Sequence, residues 1–291
     1  MRRVLPILAV SLLPSVAHAE FPERISVWAM EDFGGARTEA VDGDDYVASG
    51  WREVSLELGS TISNKAVAPA RTLGVAGFHV GFGTTFAHLP GRWEDDENPD
   101  GWELMDPDEE ASPLLFLPNI QVRKGLPASL EVGANFGWLG GTETAFVGGY
   151  GRWGIVEGYR ILPDVSVQVG YAGYVGNDEM EVGALDMSAS VGYTLPFGPV
   201  PGIHTAKFSP FMTLGLTRIH AAPRVDLTGS RLDGRITELS GFEGDAFDEG
   251  FAPFTFAGGF EVQSGQFTFD LTSGYAVGCA VNFNIGLGFT Y

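Results

Sequence analysis

From about residue 73 to the final Tyr291, bulky apolar side chains recur at every second position. A repeat of two sends successive side chains to opposite faces of an extended chain, so it specifies strands and fixes their register. In "GFHVGFGTTFAH", Phe78, Val80, Phe82 and Phe86 share one face, and Gly77, His79, Gly81, Gly83 and Thr85 the other. In "SLEVGANFGWL", Leu130, Val132, Ala134, Phe136 and Trp138 oppose Ser129, Glu131, Gly133, Asn135 and Gly137. "VSVQVGYAG", "LDMSASVGYT", "FTFAGGFEVQ", "FTFDLTS" and the terminal "AVNFNIGLGFTY" repeat the pattern.

A two-faced strand of this kind suits either a soluble sandwich or a membrane barrel. The polar face decides between them. It is small (Gly, Ser, Thr, Asn) and holds few long charged residues, which fits a crowded lumen better than a solvated surface. No later stretch of eighteen apolar residues follows the N-terminus, so a spanning helix is unavailable. A chain that crosses a membrane without such helices must close into a barrel, because only then is every backbone group paired. The predicted fold is all-β, an antiparallel transmembrane barrel of about ten strands, with twelve as the alternative. The ten are 73–88, 114–124, 128–139, 143–157, 164–175, 183–195, 207–220, 250–263, 266–274 and 280–291. Two connections, 89–113 and 221–249, are long and acidic, whereas "GLP", "GYRILP" and "SG" are short turns. Long loops at one end and short turns at the other is the transmembrane-barrel pattern.

The first nineteen residues read as an export signal cleaved after Ala19: basic "MRR", apolar "VLPILAVSLLPSV", then "AHA". The chain carries 17 Lys and Arg against 37 Asp and Glu, which argues against a nucleic-acid binder. Its single cysteine, Cys279, allows no internal disulfide.

Residues 20–72 break the alternation. Trp51, Val54, Leu58 and Ile62 lie at helical spacing, although Val54, Leu56 and Leu58 also fit a short strand. The segment is expected to form a plug or periplasmic cap with a short helix, ahead of a barrel over 73–291. The expected lumen lining carries His79, Arg123, Glu131, Arg152, Asp186, Glu261 and Asp270. Ion pairs filling a narrow barrel and a selectivity lining for a small solute are the two readings of that set.

The export signal, the alternating strands and the terminal "FNIGLGFTY" together resemble Gram-negative outer-membrane β-barrel proteins. A weaker likeness, through "APARTLGVAGF" and "IQVRKGLPASLEVG", is to barrels related to long-chain fatty-acid transporters. The first resemblance implies an outer-membrane location with lipid and the barrel-assembly machinery as partners. It also implies that Phe283, Ile285, Leu287, Phe289 and Tyr291 act as the assembly signal.

Asp96, Asn98 and Asp100, followed by Gly101, match the first half of a calcium loop. The twelfth position is Pro107 instead of Glu, so a solvated acidic loop is the favoured reading. There is no G-x-S-x-G elbow, and His79, His88, His204 and His220 have no Ser or Asp partner nearby in sequence. The chain therefore reads as a non-enzyme without a cofactor motif. Passive transport of a small or hydrophobic solute is the expected function. A structural or surface-interaction barrel with cation-binding acidic loops is the alternative, and a barrel hydrolase comes third.

Overall fold

A computed structural model describes residues 25–34, 46–63, 68–89, 101–105, 114–140, 142–159, 161–197, 206–242 and 251–291. The candidate calcium ligands Asp96, Asn98 and Asp100 and the export signal lie outside these residues.

Ten strands close a single antiparallel sheet: β1 (Phe78–His88), β2 (Leu114–Leu126), β3 (Leu130–Trp138), β4 (Ala145–Val156), β5 (Asp164–Val175), β6 (Met180–Gly192), β8 (Ala206–Pro223), β10 (Phe254–Ser264), β11 (Phe267–Ala276) and β12 (Ala280–Thr290). Two short strands, β7 (Leu195–Phe197) and β9 (Leu239–Ser240), add to β8 outside this ring. Each barrel strand pairs with the next, and β1 pairs with both β2 and β12. At the seam Phe78 and Tyr291 exchange both backbone hydrogen bonds at 2.8 Å. The first strand starts at Phe78, not at residue 73, because Gly77 N–H turns back to Gly74 C=O. Residues 73–77 thus form the entry turn.

The alternation maps onto the wall as the sequence dictates. Phe82, Val147, Val169, Leu214 and Leu287 lie on the outside and are exposed, while the small and polar residues between them point inward. Water would not tolerate so continuous an apolar band, and a bilayer requires one. The fold is a transmembrane barrel.

Among the described residues, three helices belong to the non-barrel segments: α1 (Ala29–Gly34), α2 (Tyr46–Ile62) and α3 (Gly101–Met105). The helix α2 is buried on nearly every side and packs against β5, β6, β8 and β12. It lies inside the barrel, in the half towards the long loops 89–113 and 224–253. Gly59 packs against Ile219 of β8, where a Cβ would collide with the isoleucine side chain.

Candidate functional site

The lumen has two halves of opposite character. In the half nearest the long loops, Trp51, Val54 and Leu58 of α2 join Trp102 and Leu104 of α3 and inward residues of the wall, such as Leu117, Phe146, Val182 and Ile219, in one buried apolar cluster. A polar lumen is the expectation from the small faces of the strands, and here the structure differs. The inward positions near these strand ends are Leu, Phe, Val and Ile, which meet the helix instead of water.

Carboxylates fasten this half. Glu53 Oε2 accepts the Gly101 N–H at 3.0 Å, at the start of α3, and the buried Glu57 accepts the Trp102 indole N–H at 2.6 Å. Glu179, in the β5–β6 turn, accepts hydrogen bonds from Ser26 Oγ and the Val27 N–H at 2.8 and 2.7 Å. Asn177 donates to Ile25 C=O at 2.8 Å. Among the described residues, 25–27 therefore sit at the loop end of the barrel, α2 lies in the lumen, and 68–77 lead into β1 at the turn end.

The other half is polar. Arg152 donates from Nε and Nη2 to Gln168 Oε1, at 3.0 and 2.7 Å. Its Nη1 donates to Pro69 C=O at 2.9 Å and lies 3.6 Å from Glu131 Oε1. Glu131 accepts the Tyr150 hydroxyl and the Leu73 N–H, both at 3.1 Å. The buried pair thus grips the backbone of residues 69–73 from two sides. Thr72 Oγ1 adds a bond to Glu157 at 2.9 Å. Gly133 makes room for this arrangement: a Cβ there would strike the Tyr150 ring.

All seven predicted lining residues point inward. Arg123 and Glu261 form an ion pair at 3.1 Å. Glu131 and Arg152 form the backbone clamp. His79 Nδ1 lies 2.8 Å from Thr290 Oγ1, Asp270 accepts from Asn284 Nδ2 at 3.1 Å, and Asp186 accepts from Thr217 at 2.5 Å. Asp186 stands apart from the other six, on the α2 side of the lumen. Sequence reasoning missed the participation of Tyr150, Gln168 and Glu157, and the backbone groups of Pro69 and Leu73. Gln168 and Tyr150 were visible as inward residues; the backbone groups leave no mark in a sequence.

Along the middle of β1, β2, β11 and β12 the inward wall is rich in Gly, Thr and Asn. Two cavities lie there, of about 80 Å³ and about 260 Å³. The smaller is bounded by the end of α2, His79, Asn282, Asn284 and Asp270. The larger, nearer the turn end, is bounded by residues 69–74, Arg123, Glu261, Lys207 and Tyr291. The Arg123–Glu261 pair lines the larger one. Among the described residues no group of three His, Cys, Asp or Glu side chains is arranged to hold a metal ion.

No protein-family model matches the chain, and neither does any curated protein sequence. Among solved structures it is similar to LpxR from Salmonella typhimurium, at 9% identity over 74% of this chain and 99% of that one, with a TM-score of 0.35. It is similar to the outer membrane protein Omp33 of Acinetobacter baumannii at 11% identity over 74% and 98%, TM-score 0.28. To Ail, the attachment invasion locus protein of Yersinia pestis, the values are 10% over 75% and 99%, TM-score 0.25. Superpositions this loose carry no argument about activity; the barrel rests on its own closed ring of strand pairs.

Proposed function

We propose that this protein is an outer-membrane barrel holding a latent route for small polar solutes, kept shut by its own N-terminal segment. The observation that carries the reading is the pair of cavities in the lumen, one beneath the end of α2 and one nearer the turn end that the Arg123–Glu261 pair lines. The route is blocked at the loop end by the apolar cluster around α2 and narrowed at the turn end by residues 69–73. The solute is polar: the apolar half of the lumen is filled by the protein's own side chains, whereas both cavities carry amide, hydroxyl and charged groups, set in the smaller one among Phe82, Phe146 and glycines.

Planar-bilayer recordings test this. Wild-type protein is expected to be nearly silent, because a ten-stranded barrel has little interior and this one is occupied. A variant that lacks residues 25–63 and carries Arg152→Ala and Glu131→Ala removes the loop-end block as well as the grip on residues 69–73 and is expected to show discrete openings. A variant that folds, shifts its gel migration on heating and stays silent would remove the transport reading. It would favour a barrel that serves as a surface scaffold for its acidic loops.

A further inference from the structure

We infer that the outer wall of the barrel holds a phosphorylated membrane lipid, with an acyl chain in a groove across β5, β6, β8 and β10 and the phosphate at Arg218. The inference is independent of the transport reading, since it concerns the face turned away from the lumen.

The groove is the first part of the argument. It has a volume of about 570 Å³ and an almost wholly apolar lining. The strand registers set Val167, Ala189, Leu214 and Phe256 side by side in one row across the four strands. Ala189 is the one short side chain in that row, so the wall dips between Val167 and Leu214. Met187 and Leu216 form the next row towards the loop end. The dip lies among the outward positions that face the hydrocarbon of a bilayer, where an acyl chain is the natural occupant.

Arg218 is the second part. Its neighbours Thr217 and Ile219 are fully buried, so Arg218 points outward with Leu214 and Leu216. Among the described residues, the outer faces of the ten barrel strands hold three Lys, Arg, Asp or Glu side chains: Lys124, Glu181 and Arg218. Lys124 donates to the Val75 and Gly77 carbonyls at the turn end, and Glu181 pairs with Arg224 at 3.2 Å. Arg218 lies deeper in the wall than Glu181, opposite Leu185 and directly beyond Leu216. A cation set against lipid is costly unless it meets an anion or reaches the headgroup level. The phosphate of a lipid in the loop-side leaflet supplies that anion. Arg218 stands two rows, roughly 13 Å, from Ala189, a span that an elongated lipid bridges and a free anion does not. Tyr171 flanks Leu185 on the other side of the same row, and its hydroxyl reaches up against Gly183, where a side chain would collide with it. Its ring thus stands at the edge of the groove with the polar tip at the loop side, as interface tyrosines do. The Arg218 guanidinium carries five N–H donors, so it can take a phosphate beside contacts within the protein.

The test uses the folded full-length barrel in a non-ionic detergent, with dioleoyl phosphatidic acid as the probe and bound lipid counted by native mass spectrometry. Dioleoylglycerol, which has the chains without the phosphate, and inorganic phosphate, which has no chain, are the comparisons. The expected result is one phosphatidic acid per barrel at concentrations where neither comparison is retained. Arg218→Gln removes the charged donor, and Ala189→Phe fills the dip. Each should raise the concentration for half-occupancy by about tenfold or more, the scale of a lost hydrogen bond to a charged group. If Arg218→Gln fails to fold, Ala189→Phe, on the lipid-facing surface, carries the comparison. Equal retention of dioleoylglycerol would overturn the role of the phosphate, and equal retention of inorganic phosphate would overturn the role of the groove. Phosphatidic acid binding that both variants leave unchanged would reduce the lipid to a non-specific coat and overturn the inference.

Discussion

Arg152 has every nitrogen committed: two to Gln168, and the third to Pro69 C=O beside Glu131. Both ionic partners are essentially inaccessible. Removing one member of such a pair strands the other charge, at a cost of about 3–5 kcal/mol. Arg152→Met alone should therefore lower stability by that order in urea unfolding from micelles. Adding Glu131→Gln should recover part of the loss, and a strictly additive double variant would contradict the pairing. At Gly133 a different mechanism applies. Gly133→Val should push the Tyr150 ring off Glu131 and shift its fluorescence and near-ultraviolet dichroism; unchanged spectra would count against the packing. The alternation placed Glu131, Tyr150 and Arg152 on one face of neighbouring strands. It could not reveal that they hold a passing backbone, since a carbonyl or amide acceptor has no residue identity.

At the scale of elements, α2 was legible from Trp51, Val54, Leu58 and Ile62, but its surroundings were not. Ser55, Glu57, Ser60 and Thr61 lie on its other faces and are buried too. Spacing alone would turn that side towards water. Glu57 is accommodated because the helix is enclosed by both wall and loop, where it accepts the Trp102 indole N–H. Trp102→Phe deletes the donor and replaces the buried indole with a smaller ring, which should destabilise the folded barrel by at least the roughly 1–3 kcal/mol of an unpaired buried acceptor. The measurement is the urea midpoint, and a change below a few tenths of a kcal/mol would argue against a buried bond. At the loop end the inward side chains are apolar and meet α2. Strand alternation shows which side chains face inward, not whether water or another segment of chain meets them.

For the whole molecule, closure depends on the last strand meeting the first. Phe283, Ile285, Leu287, Phe289 and Tyr291 face outward and are exposed, and the Tyr291 backbone completes the seam with Phe78. Deleting residues 289–291 removes both seam bonds and the end of the apolar belt. The expected outcome is a reduced level of folded protein in outer-membrane fractions. The strands and their two faces follow from a repeat of two, because the pleat sends successive side chains to opposite sides; the count of ten, against the alternative of twelve, comes from the strand pairing. The path of the N-terminal segment through the lumen does not follow from it, and the account stands on that path. Ala70 Cβ lies 3.5 Å from the Cβ position of the inward-facing Gly192, within the range a disulfide spans. With Cys279 replaced by Ala, the pair Ala70→Cys and Gly192→Cys should oxidise to a disulfide in intact folded barrels, seen as a shifted band that reduction restores. A folded barrel in which both thiols stay free after oxidation would place residue 70 elsewhere and contradict an occupied lumen.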